Sequence, residues 1–477
     1  MKSRYYSLVT VLAGVSLLLV TSCKTPDYGR LDPLDNVPDS YATSTDTTTI
    51  ADISWKNYFQ DTCLSVLIDS ALLNNQELNI VLRELNVSQN EVMARKGEYL
   101  PSLGVRAGGG ADKVGRYTKH GAMEATTELV PGEELPEVVP DLNISAFASW
   151  EIDIWGKLRN AKKAAALRYL SSIEGRNFMI TNMVSEIASS YYELQTLDQR
   201  LKILDSTIQL QSNALRIVKL QKESAKATEL AVKRFQAEVL HTTSRRFEIQ
   251  QMIVVAENRI NFLVGRYPQP VVRNSQSFDA MNFDTIQAGI PVQLLDRRTD
   301  MRQVTLLLEA SKLDVASAKA AFYPSIGLNG GIGLNALNPT YLIRPQSLMF
   351  NLAGDLITPL VNRNAIKAKF YNANAEQVQA VYTYEQTLLT AYIEVVNEMS
   401  NIDNLQKTYE LQRQQVEALT DGVRISNDLY MSARANYMEV LMTQRDALEA
   451  KLELIDTKKE QLVARVQIYR ALGGGWK

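Results

Sequence analysis

Residues 99–105, Tyr99-Leu100-Pro101-Ser102-Leu103-Gly104-Val105, return as Phe322-Tyr323-Pro324-Ser325-Ile326-Gly327-Leu328. Three further landmarks recur in the same order: Arg159-Asn160-Ala161-Lys162-Lys163-Ala164 as Arg363-Asn364-Ala365-Ile366-Lys367-Ala368, Ser224-Ala225-Lys226-Ala227 as Ser432-Ala433-Arg434-Ala435, and Leu263-Val264-Gly265 as Ala471-Leu472-Gly473. Four matches in one order, at offsets of 223, 204, 208 and 208, mark two copies of one unit of about 200 residues. The drop in offset places a longer insert in the first copy, between Gly104 and Arg159.

Each copy contains a long stretch without proline, from Asp141 to Tyr267 and from Leu360 to Lys477, rich in strong helix formers. The segment from Lys157 to Lys222 alone would rise about 100 Å as helix. Each stretch is expected to turn once, at Ser224-Ala225-Lys226 and at Ser432-Ala433-Arg434, and to return for about 40 residues. Around Leu201, Leu204, Ile208, Leu215 and Val218 the apolar residues step by three, four and seven, which is a narrow coiled-coil seam. Gln209, Gln211, Ser212, Asn213 and Arg216 are placed on the opposite, solvated face.

Between the helical regions each copy carries a candidate strand pair. In the first copy these are residues 102–111 and 143–153, the second alternating Ile144, Ala146, Ala148, Trp150 and Ile152 with Ser145, Phe147, Ser149 and Glu151. In the second copy they are residues 325–334 and 349–357. Ten residues of period-two alternation suit a strand that crosses a membrane. Four strands cannot cover their own edges or close a pore, so several chains would have to contribute to one barrel. The glycine clusters Gly108-Gly109-Gly110 and Gly330-Gly331-Ile332-Gly333 lack the residues that would make either a phosphate loop.

Lys2 and Arg4 precede an apolar run from Leu8 to Val20, too short to span a bilayer, that ends in Val20-Thr21-Ser22-Cys23. This resembles a bacterial lipoprotein signal in which Cys23 becomes the acylated first residue. Lys24 stands where lipoproteins kept in the inner membrane carry Asp, which implies the outer membrane. Residues 24–50 are rich in Pro, Asp, Ser and Thr and read as a tether. Without Lys2 and Arg4 the chain has 49 basic against 53 acidic side chains, which gives no attraction for nucleic acid. Cys63 is the one other cysteine, so no intrachain disulfide framework is expected. His120 and His241 stand far apart without ligand spacing, and no metal site, cofactor or enzyme activity is expected.

Trp55, Tyr58-Phe59, Asp61, Leu64, Leu67-Ile68, Ala71-Leu72, Asn74-Asn75 and Leu78, with Leu100-Pro101-Ser102-Leu103 and Trp150-Glu151-Ile152-Asp153-Ile154-Trp155-Gly156-Lys157, resemble the motifs of TolC-like outer-membrane efflux proteins, in the lipoprotein branch that serves resistance-nodulation-division pumps. The resemblance spans Trp55 to Gly473. It implies a mostly helical homotrimer whose twelve strands, four per chain, form an outer-membrane β-barrel continued into the periplasm by an α-helical barrel. It implies as partners a periplasmic adaptor and an inner-membrane transporter. The chain then divides into a signal peptide (1–22), a lipid-anchored tether (23–54), a first repeat (55–267), a linker (268–290) and a second repeat (291–475). The expected function is passive export through an outer-membrane duct. The alternatives are a lipid-anchored periplasmic coiled-coil scaffold and an adaptor without a pore. The adaptor reading lacks β-rich flanks around a single hairpin, and the scaffold reading leaves the strands and the duplication without a purpose.

The turns are the expected docking sites for the adaptor, with Ser224, Ala225, Lys226, Ser432, Ala433 and Arg434 as candidates. The family usually has glycine after a tyrosine there, and this chain does not. Glu439 stands where some members carry a ring of acidic residues at the gate, and Met442 where a second acid is sometimes found. Nothing in the chain selects a cargo: antibiotics, bile salts, dyes and metal ions all suit a duct.

Overall fold

The computed structural model describes residues 33, 38, 40, 41, 48–274, 278, 288–359, 363–432 and 434–476. The signal, Cys23, most of the tether and linker, and Ala433 lie outside the described residues. The elements run α1 (Trp55–Phe59), α2 (Thr62–Asn74), α3 (Gln76–Tyr99), β1 (Ser102–Asp112), β2 (Val139–Ile152), α4 (Lys157–Glu223), α5 (Glu229–Val264), α6 (Thr299–Ala320), β3 (Ser325–Ala336), β4 (Leu348–Ile357), α7 (Asn364–Met431) and α8 (Tyr437–Ala471). The chain divides into two compact units, Asn86–Leu170 with Leu306–Tyr382, and Pro33–Leu85 with Ser171–Thr305 and Thr383–Lys477.

The first unit holds one four-stranded antiparallel sheet in the order β1-β2-β3-β4. Its central pairing, β2 with β3, joins the two copies. β2 begins at Val139, earlier than the alternation indicates, and includes Pro140. At that end β2 pairs only with β1, while its pairing with β3 begins at Leu142↔Ala336, so Pro140 stands where the strand has a free edge, the kind of position in a sheet that tolerates proline. Asp153 is not in the strand: its carboxylate accepts from the backbone N–H of Leu158 at 3.1 Å and of Arg159 at 2.8 Å, and so caps α4. The insert of the first copy joins β1 to β2 and contains a short helix, Lys119–Glu124, and a small ribbon, Glu128–Val130 with Glu133–Glu134.

In the second unit the Trp55–Leu78 stretch packs over the helical seam. Trp55 and Phe59 of α1 and Leu64, Ile68 and Ala71 of α2 share one core with Ile187 and Tyr191 of α4, Ile260 of α5 and Tyr469 of α8. Asp61 caps α2 by accepting from Cys63 N–H at 2.8 Å, and its other oxygen accepts from the Tyr191 hydroxyl at 3.0 Å. Tyr58 stacks on Tyr469 at 4.1 Å between ring centres and donates to the Arg465 carbonyl at 2.9 Å. Burial pushes the Tyr58 hydroxyl up to about 12, so it stays neutral.

The duplication is visible atom by atom in this unit. Asn75 Nδ2 donates to the Leu263 carbonyl at 2.8 Å in the first copy, and Arg298 Nη1 donates to the Ala471 carbonyl at 3.0 Å in the second. The donors are separated by the offset of 223 and the acceptors by that of 208, as in the sequence repeats. Arg298 is also held by Asp300 at 2.6 Å and by Glu394 at 2.7 Å, which satisfies a cation buried to 7% exposure. α5 and α8 each end in the same turn. Arg266 N–H reaches back to the Asn261 carbonyl at 2.9 Å, and Gly474 N–H to that of Tyr469 at 3.0 Å, around Gly265 at φ +77° and Gly473 at φ +91°. A Cβ on Gly265 would stand 2.4 Å from the Asn74 oxygen, and one on Gly473 2.7 Å from that of Arg297.

One residue departs from the sequence reading in an instructive way. Gln211, placed on the solvated face, is wholly buried. It lies seven residues after buried Leu204 and seven before buried Val218, so a seam of coiled-coil period carries it inward.

The two kinds of turn residue are expected to respond oppositely to substitution. Gly265→Ala should cost about 2 kcal/mol or more, from the left-handed backbone and the clash with Asn74. Ala225, at φ +55°, holds the same kind of position at the end of α4, and Ala225→Gly should gain up to about 1 kcal/mol. Denaturant unfolding of the detergent-solubilised protein, followed by circular dichroism, checks both signs.

Candidate functional site: a two-faced sheet and paired helical turns

The strand register sorts the sheet into two faces of opposite character. Leu103 pairs with Ala148, Ile144 with Leu334, Ile332 with Phe350, and Leu328 with both Trp150 and Gly354. Following these pairs across all four strands, one face carries Leu103, Val105 and Ala107, then Ile144 and Trp150, then Ile326, Leu328 and Ile332, then Leu348, Phe350, Leu352 and Leu356, with no polar side chain among them. The other carries Ser102, Arg106, Asp112, Asp141, Asn143, Ser145, Glu151, Asn329, Asn335, Asn351 and Asp355, with Phe147, Met349 and, at strand ends, Val139 and Ile357 as large apolar exceptions. The apolar face is uncovered: Leu103, Leu352 and Phe350 are 85%, 83% and 81% exposed. Such a band of apolar side chains over four adjacent strands has the composition of a lipid-facing surface.

Glycines sit mainly on the polar face and permit close strand packing. A Cβ on Gly333 would stand 2.5 Å from the Ile144 carbonyl oxygen, and one on Gly104 2.5 Å from the ring of Phe147, its register partner. Phe147 covers the strand where glycine offers no side chain. Asn335 donates to Asp141 at 2.7 Å and Asn329 to Asp355 at 2.9 Å, so these carboxylates keep hydrogen-bond partners on the polar face.

The Trp150–Lys157 motif builds the passage from strand to helix. Trp150 Nε1 donates to the Tyr99 carbonyl at 3.2 Å, and Trp155 Nε1 to that of Pro324 at 2.8 Å while its ring stacks on Tyr323 at 4.8 Å. Gly156 at φ +77° makes the bend, and Lys157 pairs with Glu151 at 2.6 Å. Each copy's Leu-Pro-Ser or Tyr-Pro-Ser landmark thus meets a tryptophan of one motif.

The helical turns have closely related geometry in both copies. At the first, Lys226 N–H reaches the Gln221 carbonyl at 2.8 Å and Ala225 N–H that of Lys222 at 2.9 Å, the closure that glycine usually makes. At the second, Arg434 N–H reaches the Leu429 carbonyl at 2.8 Å. Thr228 caps α5 and Asn436 caps α8. Lys222 pairs with Glu229 across the first turn, and this hydrogen bond holds the Glu229 carboxyl below its ordinary range. Ser224, Ala225, Lys226, Ser432 and Arg434 are all exposed, as is Glu439 in the first turn of α8.

The structure also shows a link that the sequence reading missed. The Tyr430 hydroxyl donates to Gln221 Oε1 at 2.6 Å, tying the end of α7 to the end of α4. Val218, Val232, Phe235, Val440 and Leu441 pack beneath it in one cluster. No periodicity marks Gln221 or Tyr430 as partners, since they lie 209 residues apart, and the repeat offset of 208 aligns Gln221 with Leu429 instead, so no sequence signal paired them.

A sheet with one lipid-compatible face and one polar face, attached to long helical hairpins, defines a subunit of a membrane duct. The sequence matches the family described as outer membrane efflux protein over residues 67–266 and 290–474, and the chain belongs to that family. It is 27% identical over 469 residues to the cation efflux system protein CusC of Escherichia coli O6:H1, covering 96% of this chain and 97% of that protein. It is 25% identical over 479 residues to the probable outer membrane lipoprotein SilC of Salmonella typhimurium, covering 98% of each. The open state of the Neisseria gonorrhoeae MtrE outer membrane channel shares the fold, with a TM-score of 0.82 at 21% identity over 95% of this chain and 98% of that one. The protein is an outer-membrane efflux duct, in a family of ducts rather than enzymes.

The two faces predict opposite effects from one substitution at neighbouring positions. Leu352→Arg should lower the stability of the membrane-inserted protein by about 2–4 kcal/mol, the cost of a lipid-facing cation at mid-strand. Asn351→Arg should leave folding intact and change conductance instead. Urea unfolding in lipid vesicles and planar-bilayer recordings separate the two.

Proposed function

We propose that three copies of this chain close one duct, anchored by lipid on Cys23 and driven by an inner-membrane transporter through a periplasmic adaptor. The single observation that carries this reading is the four-stranded sheet with an apolar face and two unpaired edges, β1 and β4. In hydrocarbon those edges need partners, and the β4 edge of one copy with the β1 edge of the next supplies them until twelve strands close. A second feature supports the same assembly. α5 bears an exposed apolar stripe, Leu240, Phe247, Val254 and Phe262, at steps of seven, seven and eight, which is a coiled-coil seam suited to a neighbouring copy. A periplasmic scaffold would leave both features without a use.

Cargo passes through water between polar strand faces and needs no covalent chemistry on the way. The exposed turns at Ser224–Lys226 and Ser432–Arg434, with Ala433 between them in the sequence, form the periplasmic mouth and receive the adaptor's helical hairpins. Short side chains at Ser224, Ala225 and Ser432 allow close backbone approach. Glu439 from three copies forms a carboxylate ring near this mouth that attracts cations. Opening the mouth requires the Tyr430–Gln221 link to break or shift. No cofactor takes part; the one added group is the lipid.

Planar-bilayer recordings test the duct itself: a detergent-extracted protein that ran as a monomer and gave no conductance would overturn it. Glu439→Gln should lower cation selectivity and weaken block by multivalent cations at low salt, and unchanged behaviour would remove the ring. Cys23→Ser should abolish incorporation of labelled fatty acid while some trimer stays in the outer membrane, because a closed barrel is held there by its own apolar band. A folded Cys23→Ser protein found wholly in the soluble fraction would contradict the barrel.

A further inference from the structure

The helical seam of the second unit is interrupted at one level. Its main apolar cluster includes Leu204 of α4, Ile249 of α5 and Leu448 of α8. A separate cluster near the turns holds Val218, Phe235 and Leu441 of the same three helices. Between them on each helix stands a buried polar side chain. Gln211 lies seven residues from both Leu204 and Val218, Thr242 seven from both Phe235 and Ile249, and Gln444 three after Leu441 and four before Leu448. Their exposures are 0%, 0% and 4%. Thr242 Oγ1 donates to the Glu238 carbonyl of its own helix at 3.1 Å. Among the described residues, neither the nitrogen nor the oxygen of the Gln211 and Gln444 amides has a hydrogen-bond partner.

We infer that Gln211, Thr242 and Gln444 form a joint at which the turn end of the two hairpins opens as a unit separate from the rest of the core. A buried amide without a partner weakens the packed state in which it is buried, so this level is the least favourable in the seam. Opening below it exposes only the turn cluster, and the amides gain water as it does so. The core above is braced by ion pairs between Arg246 and Asp205, at 2.6 Å, and between Arg245 and Glu449, which join α5 to α4 and to α8. The apolar break and the polar layer coincide on all three helices, which is the arrangement that divides a long bundle into cooperative units. The functional sense of the joint rests on the duct reading, in which this end is the mouth; its existence does not.

Amide hydrogen exchange on the full-length protein in detergent tests it. Peptides from residues 212–241 and 437–443 should exchange at least about ten-fold faster than those from 192–204, 249–263 and 448–466, with a step at the polar layer. A smooth gradient from the turns inward, without that step, would overturn the joint, and this wild-type profile decides the matter where a variant fails to assemble. In the double variant Gln211→Leu with Gln444→Leu only Thr242, whose hydroxyl is satisfied within its own helix, stays polar at that level, and exchange of the turn segments should slow at least about ten-fold with trimer yield unchanged. Unchanged turn exchange in a folded double variant would overturn the joint as well. Slowed exchange together with reduced channel opening supports both the joint and the mouth. Slowed exchange with unaltered conductance supports the joint and counts against this end as the mouth.

Discussion

A backbone N–H or C=O inside hydrocarbon has no water to bond to, and this constraint governs the molecule. The sheet of one chain is apolar on one face and polar on the other, so it suits a boundary between lipid and water, yet its two edge strands are unpaired. Four strands are too few to curl shut on themselves. The two edges therefore call for partner strands, which the proposed assembly of three copies would supply. The glycines of the polar face belong to the same logic, since a backbone carbonyl or a neighbouring Cβ occupies the space where a side chain at Gly333 would start.

The duplication is not a simple doubling of identical parts. Its two halves meet in the β2–β3 pairing, so the sheet is continuous only because both copies contribute to it. Where the copies are equivalent, the geometry is kept and the chemistry varies. Asn75 and Arg298 both secure the last turn of a returning helix, one as a neutral amide and the other as a cation needing Asp300 and Glu394. A neutral donor needs one acceptor, whereas a buried guanidinium must also be neutralised, which is why the second junction recruits two carboxylates.

The long helices obey a different balance. Their seam is narrow, and much of each helix surface stays polar, so the hairpins are held by a thin apolar line reinforced by ion pairs and by the Tyr430–Gln221 link. A thin line is sensitive to one polar layer. A broad core would absorb Gln211 and Gln444 with little change in cooperativity; in this narrow seam no side chain among the described residues bonds to either amide.

The sequence by itself determined the duplication, the proline-free helices, the strand segments and the glycines that end α5 and α8, because each depends on local pattern or on repetition along the chain. Trp155, Asp153 and Asn75 stood in recognisable motifs, though their partners did not. Only the tertiary structure decided the strand register that gathers most of the large apolar side chains onto one face, the start of β2 at Val139 before a proline, and the pairing of Gln221 with Tyr430. It also turned Gln211 inward against its polarity. A side chain's chemistry is written at its own position, but what it faces is set by residues hundreds of positions away, and a helix of coiled-coil period buries whatever falls in its seam.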